Sequence, residues 1–381
     1  MNHHEENKIN VTFCEGGFGF GGAVISLMEY LKLADRDINA SVITVRNDES
    51  YKDFEKYSDR KHISISQGSN KGYLGYFRLL KDVIKYVRIF HRNSIDIVYL
   101  NNDPYCNLAA CIAAYLTKRK IILHMRGFCL NRFWPRWVAK NLTRAIAISQ
   151  PIKSNLLELG VPESKVSLVH EGVDFSRFNQ EPVAGNLREE LGIGKDDVIV
   201  SMIGVLVEWK GQHVLISAVG GLVDRFPNIK VLIVGAAVGG SGYEKKLFDM
   251  VSHENLGNVV RFLGHRDDVE LIMKQSDILV HASTTPEPFG RIVIEGMACG
   301  KAVVASDAGG PQELIENNKT GVLVKPGDSA MMAEALQKLI ENKEERLAIG
   351  RAAAEAAKVY SIQSHADKIN WLLHECMTAT K

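Results

Sequence analysis

The chain has 381 residues, with 46 Lys and Arg against 45 Asp and Glu, a formal charge of +1, and 46% hydrophobic residues. This composition excludes a mainly disordered or collagen-like chain, and near-neutrality argues against a dedicated nucleic-acid binder. At roughly 100–200 residues per domain, the length predicts two domains.

The N-terminus (MNHHEENKIN) is polar and has no apolar signal core. Strand 9–14 follows and runs into Glu15-Gly16-Gly17-Phe18-Gly19-Phe20-Gly21-Gly22, after which a helix begins. Three readings of this loop stand open. Gly17, Gly19 and Gly22 satisfy the spacing of a dinucleotide fingerprint, but strand 40–45 ends without its acid, the nearest being Asp48. The loop is otherwise a plain strand–helix turn, or a place where Gly21 and Gly22 let a substrate approach the backbone and the helix N-terminus. Further strands are expected at 62–66, 96–100, 120–124, 145–149 and 166–170, with helical spacing between several of them. Apolar strands alternating with helices predict a parallel sheet covered on both faces.

Within this half, residues 71–150 carry 14 Lys and Arg against three Asp, a local charge of +11 that leaves −10 for the rest. Segment 76–92 reads as a basic amphipathic helix, and 131–140 interleaves aromatics with cations. This is either a solvated basic face or a surface for an anionic membrane. The longest apolar runs, such as 108–116, fall far short of the ~20 residues that cross a bilayer. The six cysteines (Cys14, Cys106, Cys111, Cys129, Cys299 and Cys376) have no CxxC spacing, which predicts reduced thiols and no metal site. Together these features predict a soluble cytoplasmic protein.

A polar stretch, 174–195, reads as linker plus one short helix, placing domains at 1–178 and 179–361, with the helix 362–381 free to join either. The alternation then restarts with strands at 197–204, 229–235, 258–263, 277–282, 302–306 and 321–324. Strand 277–282 leads through a Pro-flanked loop to Phe289-Gly290, where a helix begins. A helix start offers free N–H groups and a positive dipole end to a diphosphate. Glu295, about one turn in, is placed to accept two ribose hydroxyls.

The stretch 283–315, STTPEPFGRIVIEGMACGKAVVASDAGGPQELI, resembles the retaining GT-B glycosyltransferases of family four. Glu287 and Glu295 match the family's E-x7-E element, and Gly309-Gly310 its glycine pair. Lys210-Gly211, Ile233-Val234-Gly235, Phe262-Leu263-Gly264, Ser149 and Gly172-Val173-Asp174 extend the match over most of the chain. The resemblance implies two facing Rossmann-like, doubly wound parallel-sheet domains with a cleft between them. It implies that Glu295 holds the ribose and that Glu287 lies near the donor sugar. Phe289, Gly290 and Arg291 then present backbone to the sugar and diphosphate, and Lys210 neutralises the diphosphate. Gly204 and Gly22 join the donor site, His265 belongs to the base-contacting loop, and His124 faces the donor sugar from the N-terminal domain. A core histidine is the plain alternative for His124.

Two departures stand out. Gly204-Val205-Leu206 replaces the family's Gly-Arg-Leu, and the lost charge-assisted phosphate contact costs ~1.5–3 kcal/mol unless Arg291 or Arg126 substitutes. Glu171 stands where the family more often has Asn. The function implied is metal-independent transfer of a sugar from a UDP-sugar or GDP-sugar, with retained anomeric configuration and no cofactor. The acceptor is a glycan or lipid-linked molecule, with an anionic membrane surface as a further partner and no nucleic acid. The competing classes are a nicotinamide oxidoreductase resting on Gly17–Gly22 and a catalytically weak nucleotide-sugar-binding homologue resting on Val205.

Overall fold

The computed structural model describes residues 8–16, 21–45, 54, 62–64, 73–129, 136–179, 185–237 and 242–378. The chain divides into two compact units, Met1–Gly172 with Ile362–Lys381, and Val173–Ser361.

The first unit is built on β1 (Ile9–Glu15), β2 (Ile38–Thr44), β3 (His62–Ser64), β4 (Ile97–Asn101), β5 (Lys120–Met125), β6 (Arg144–Ala147) and β7 (Val166–Leu168). They form one parallel sheet in the order β3-β2-β1-β4-β5-β6-β7. Strand β4 (IVYLN) is buried along its whole length, as expected of a parallel strand covered on both faces. Phe13, Tyr30 and Tyr99 make tilted ring contacts beneath the sheet, adding directional packing to simple burial.

The second unit contains β8 (Val198–Ile203), β9 (Ile229–Val234), β10 (Val260–Gly264), β11 (Ile278–His281), β12 (Ala302–Ser306) and β13 (Val322–Val324). These give a second parallel sheet, ordered β10-β9-β8-β11-β12-β13. Every strand expected from hydrophobic alternation is present, with ends shifted by a few residues.

The boundary between units differs from the expectation. Residues from Val173 onward belong to the second unit, because the Val173 N–H donates to the Tyr360 carbonyl at 2.9 Å and pairs in parallel with Ser361. The expected linker is structured in part: Asn186 caps the helix Leu187–Leu191 through its side chain, and Arg177 pairs with Glu270 of the same unit. The C-terminal helix Ile362–Thr378 belongs to the first unit. It buries Ala366, Ile369, Leu372 and Leu373 against Leu27, Tyr30 and Ile38, and the Tyr30 hydroxyl donates to Asn370 at 2.8 Å. All six cysteines are free thiols. No helix among the described residues is long and apolar enough to cross a membrane.

Candidate functional site

In an open parallel sheet, ligands gather beyond the carboxyl ends of strands where the winding direction reverses, since diverging connections leave a crevice there. Each unit has one such point. In the first it lies between β1 and β4, and in the second between β8 and β11.

At the second unit's switch point, the segment after β8 carries Lys210 and the segment after β11 carries Ser283 and Glu287. Lys210 Nζ lies 2.8 Å from Glu287 Oε2 and 4.3 Å from the centre of the Trp209 ring. The two segments are tied together, for the Thr284 N–H donates to the Trp209 carbonyl at 2.7 Å. Burial alone would raise the Glu287 pKa. The His281 hydrogen bond and the Lys210 charge outweigh it and hold the carboxyl at about 2. At neutral pH this is therefore a half-buried ion pair.

Glu287 is fixed from below by backbone. It bridges to Gly309, and the Gly310 N–H donates to the Glu287 carbonyl at 2.8 Å. A Cβ at Gly310 would sit 2.0 Å from the Phe289 carbonyl oxygen, so only glycine fits this crossing. Gly290, at φ +98°, then turns the chain into the helix Arg291–Ala298, which no side chain caps. The positive end of this helix's dipole therefore lies at the turn that follows Glu287, the partner of Lys210. Phe289 is buried against Tyr360. Arg291 contacts Glu295, four residues on, at 3.4 Å. Glu295 thus lies on the same helix face as Arg291, one turn further on.

The rest of the expected donor set falls on neighbouring strand ends. Gly204 follows β8 directly, and Gly235 after β9 packs against its carbonyl. His265 follows β10 with its side chain largely exposed, within 3.8 Å of Asp267. Val205 is 44% exposed, so the position that usually carries the phosphate-gripping arginine faces solvent with an apolar side chain.

The first unit presents a different arrangement. Glu15 (β1), Asn101 (β4) and Arg126 (just past β5) are all buried at the carboxyl edge. The Asn101 amide donates to Glu15, and Asn102 donates to the other Glu15 oxygen at 3.3 Å. Arg126 donates to Asn101 Oδ1 at 2.7 Å, to Ser26 Oγ at 2.8 Å and to Glu171 at 2.5 Å. Ser26 in turn donates to Glu171. Glu171, the departure from the family's asparagine, is thus the buried counter-ion of Arg126. Sequence reasoning noted both residues but had no means of pairing them across 45 positions. Arg126 is accordingly not a spare cation for the diphosphate, which corrects that expectation.

His124 also differs from its expected role as a residue turned toward a donor. It is fully buried: Nδ1 lies 2.5 Å from the Tyr99 hydroxyl and the ring stacks on His365. Burial first, with the charge of Arg126 and the neighbouring His365, keeps its pKa well below the ordinary histidine value, so the imidazole is neutral. Its burial agrees with the core-histidine alternative, but Nε2 is buried without a hydrogen-bond partner among the described residues. At the helix start, Gly21 has open space where a Cβ would lie, and Gly22 begins the helix Gly22–Lys32. Gly17, Gly19 and Asp48, on which the dinucleotide reading rests, lie outside the described residues, as do 131–135 of the basic aromatic segment. The cluster Asp35, Asp37 and His374 sits at the amino end of β2, away from the strand ends that form the site.

Comparison with known proteins gives two family matches that tile the chain. Residues 20–177 match the model described as Glycosyltransferase Family 4 and residues 184–356 the model described as Glycosyl transferases group 1. A D-inositol 3-phosphate glycosyltransferase of Corynebacterium urealyticum is 32% identical over 54% of this chain and 50% of its own length. The chain thus spans about half the length of such curated relatives. A capsular polysaccharide biosynthesis glycosyltransferase, CapM of Staphylococcus aureus, is 25% identical over 73% of this chain and 76% of its own. Among solved structures, Anabaena Alr3699/HepE in complex with UDP is 28% identical, with a TM-score of 0.82 over 97% of this chain and 100% of that one. Its complex with UDP-glucose matches with a TM-score of 0.81 at 28% identity, over 98% of this chain and all of that one.

Proposed function

The chain belongs to glycosyltransferase family four with the GT-B fold, and on that basis we propose that it moves a sugar from a nucleoside-diphosphate donor to a glycan or lipid-linked acceptor. The observation that carries this reading is the Lys210–Glu287 pair beside the uncapped start of the helix Arg291–Ala298, at the second unit's switch point. During transfer the bond between anomeric carbon and phosphate stretches, the sugar becomes oxocarbenium-like, and negative charge grows on the leaving diphosphate. Lys210 and the start of the helix after Gly290 stabilise that charge, an electrostatic effect that is the largest catalytic contribution in many enzymes. Glu295 accepts the ribose hydroxyls, Glu287 faces the sugar, and Arg291, Gly204 and His265 complete the donor set.

In this reading the first unit takes the acceptor, with Gly21, Gly22 and the network around Arg126 at its switch point. Anomeric configuration is retained, no metal or other cofactor is used, and the donor is a UDP- or GDP-sugar. The complexes of the HepE protein with UDP and UDP-glucose support testing UDP first. The likeness to the capsular polysaccharide biosynthesis glycosyltransferase supports a role in surface polysaccharide or glycolipid synthesis. The helix Tyr73–Arg92 exposes Tyr76, Phe77, Leu80 and Ile84 beside Arg78, Lys81, Lys85 and Arg88, which supports peripheral docking on an anionic membrane from the cytoplasmic side.

Calorimetric titration with UDP, GDP, ADP and NAD tests the assignment. One of the three nucleoside diphosphates binds and NAD does not, and Glu295→Gln weakens that binding roughly 10–100-fold, as loss of a charge-assisted contact requires. Binding of NAD alone would return the protein to the oxidoreductases. Sedimentation with anionic against neutral vesicles tests the docking, and binding to neither removes it.

A further inference from the structure

The second unit's site holds a buried histidine that neither the motif spacing nor the resemblance assigns. His281 is the last residue of β11, and Ser283, two positions on, projects to the same side of the chain. His281 is 3% exposed and Ser283 fully buried. His281 Nε2 lies 3.1 Å from Glu287 Oε2 and 3.1 Å from Ser283 Oγ, and Ser283 Oγ donates to Glu287 Oε2 at 3.0 Å. With Lys210 Nζ at 2.8 Å, three donors converge on one carboxylate oxygen. Among the described residues, none of these bonds reaches Oε1.

The protonation pattern follows from the partners. An ionised carboxylate oxygen only accepts, so the proton that His281 contributes sits on Nε2. Nδ1 is buried without a hydrogen-bond partner. His281 is therefore a donor held in one orientation, and its backbone is pinned by Ser306 Oγ, which donates to the His281 carbonyl at 3.3 Å.

The arrangement is redundant for holding Glu287 alone but not for a site whose lysine has a second task. On the function proposed above, Lys210 turns to the donor diphosphate. Without other donors, its departure would leave a nearly buried carboxylate uncompensated and free to rotate. We propose that His281 is a positioning residue. Together with Ser283 it keeps Oε2 of Glu287 in place when Lys210 engages the diphosphate, so that Oε1 is presented to a hydroxyl of the transferred sugar.

His281 then acts on the sugar and not on the nucleotide, and the experiment separates the two. His281→Leu removes the donor while keeping an apolar side chain of similar bulk. His281→Gln restores an N–H near the position of Nε2. Each is measured for binding of UDP and of GDP by calorimetry, and for kcat and KM of nucleotide release from UDP-glucose and GDP-mannose. For whichever pair the wild type uses, His281→Leu is expected to bind the nucleoside diphosphate within about 3-fold of wild type. Its kcat/KM should fall roughly 10–100-fold, the effect of losing a hydrogen bond to a charged group, and His281→Gln should recover most of the loss. Unchanged kcat/KM in His281→Leu overturns the proposal. So does a parallel loss of nucleotide binding in both variants, which marks a purely structural histidine. If His281→Leu does not fold, Ser283→Ala decides: a fall of about 3–10-fold in kcat/KM at constant nucleotide affinity supports the proposal, and no fall overturns it. A wild type that neither binds nor uses either pair overturns the function itself, a failure visible before any variant is made.

Discussion

The two units place charged side chains at equivalent points of equivalent sheets and use them in opposite ways. At the first unit's switch point, Glu15, Arg126 and Glu171 are all buried and satisfy one another through Asn101 and Ser26. At the second, Lys210 and Glu287 are bound to each other but lie beside an uncapped helix start and a row of glycines. The difference is one of commitment. A cation ringed by protein acceptors contributes to architecture, whereas a cation held by one carboxylate, beside a helix start that no side chain caps, can exchange that carboxylate for a diphosphate. Position at a switch point therefore does not make a residue functional; its unspent hydrogen-bonding capacity does.

Breaking the first unit's network should give the largest effect. Arg126→Ala leaves Glu171 buried without its counter-ion and is expected to cost about 3–5 kcal/mol of stability, while a double replacement of Arg126 and Glu171 by apolar residues costs less. Chemical denaturation checks both, and equal losses for the single and double variants would contradict the pairing. In the second unit, Lys210→Ala should spare the fold and lower turnover by about 10²–10³-fold, the magnitude of removing one preorganised charge-stabilising group. Single-turnover nucleotide release measures it.

The comparison extends to pH. Because the folded pKa of His124 is depressed, the unfolded chain takes up a proton before the folded one does. Stability from this histidine is full above about pH 6.5 and is lost below it, by roughly 1 kcal/mol per pH unit. Glu287 is depressed as well, to about 2, so its contribution persists down to about pH 4.5 and is lost between there and 2. Unfolding of wild type and His124→Gln at pH 7 and 5 should therefore show a steeper decline in the wild type. The smallest effect is a gain. Val205→Arg restores a cation at an exposed position five residues before Lys210 and should tighten nucleoside-diphosphate binding by about 3–10-fold. No change would mean that Arg291 already supplies the contact.

Alternation of apolar strands and helices determined all thirteen strands and the α/β class, because parallel strands buried on both faces must be continuous apolar runs. The order and spacing of E-P-F-G, the E-x7-E pair and Lys210-Gly211 determined the family and pointed to the connections where Lys210 and Glu287 meet. The tertiary structure alone decided three things. It paired Arg126 with Glu171, set His124 inside the core against Tyr99 and His365, and drew His281 onto Glu287. It also assigned the C-terminal helix to the first unit and moved the boundary to Gly172. The physical reason is common to all of them. A motif reports which groups stand near one another along the chain, but whether a buried charge or ring is satisfied depends on partners brought from distant strands, and that requires the packed fold.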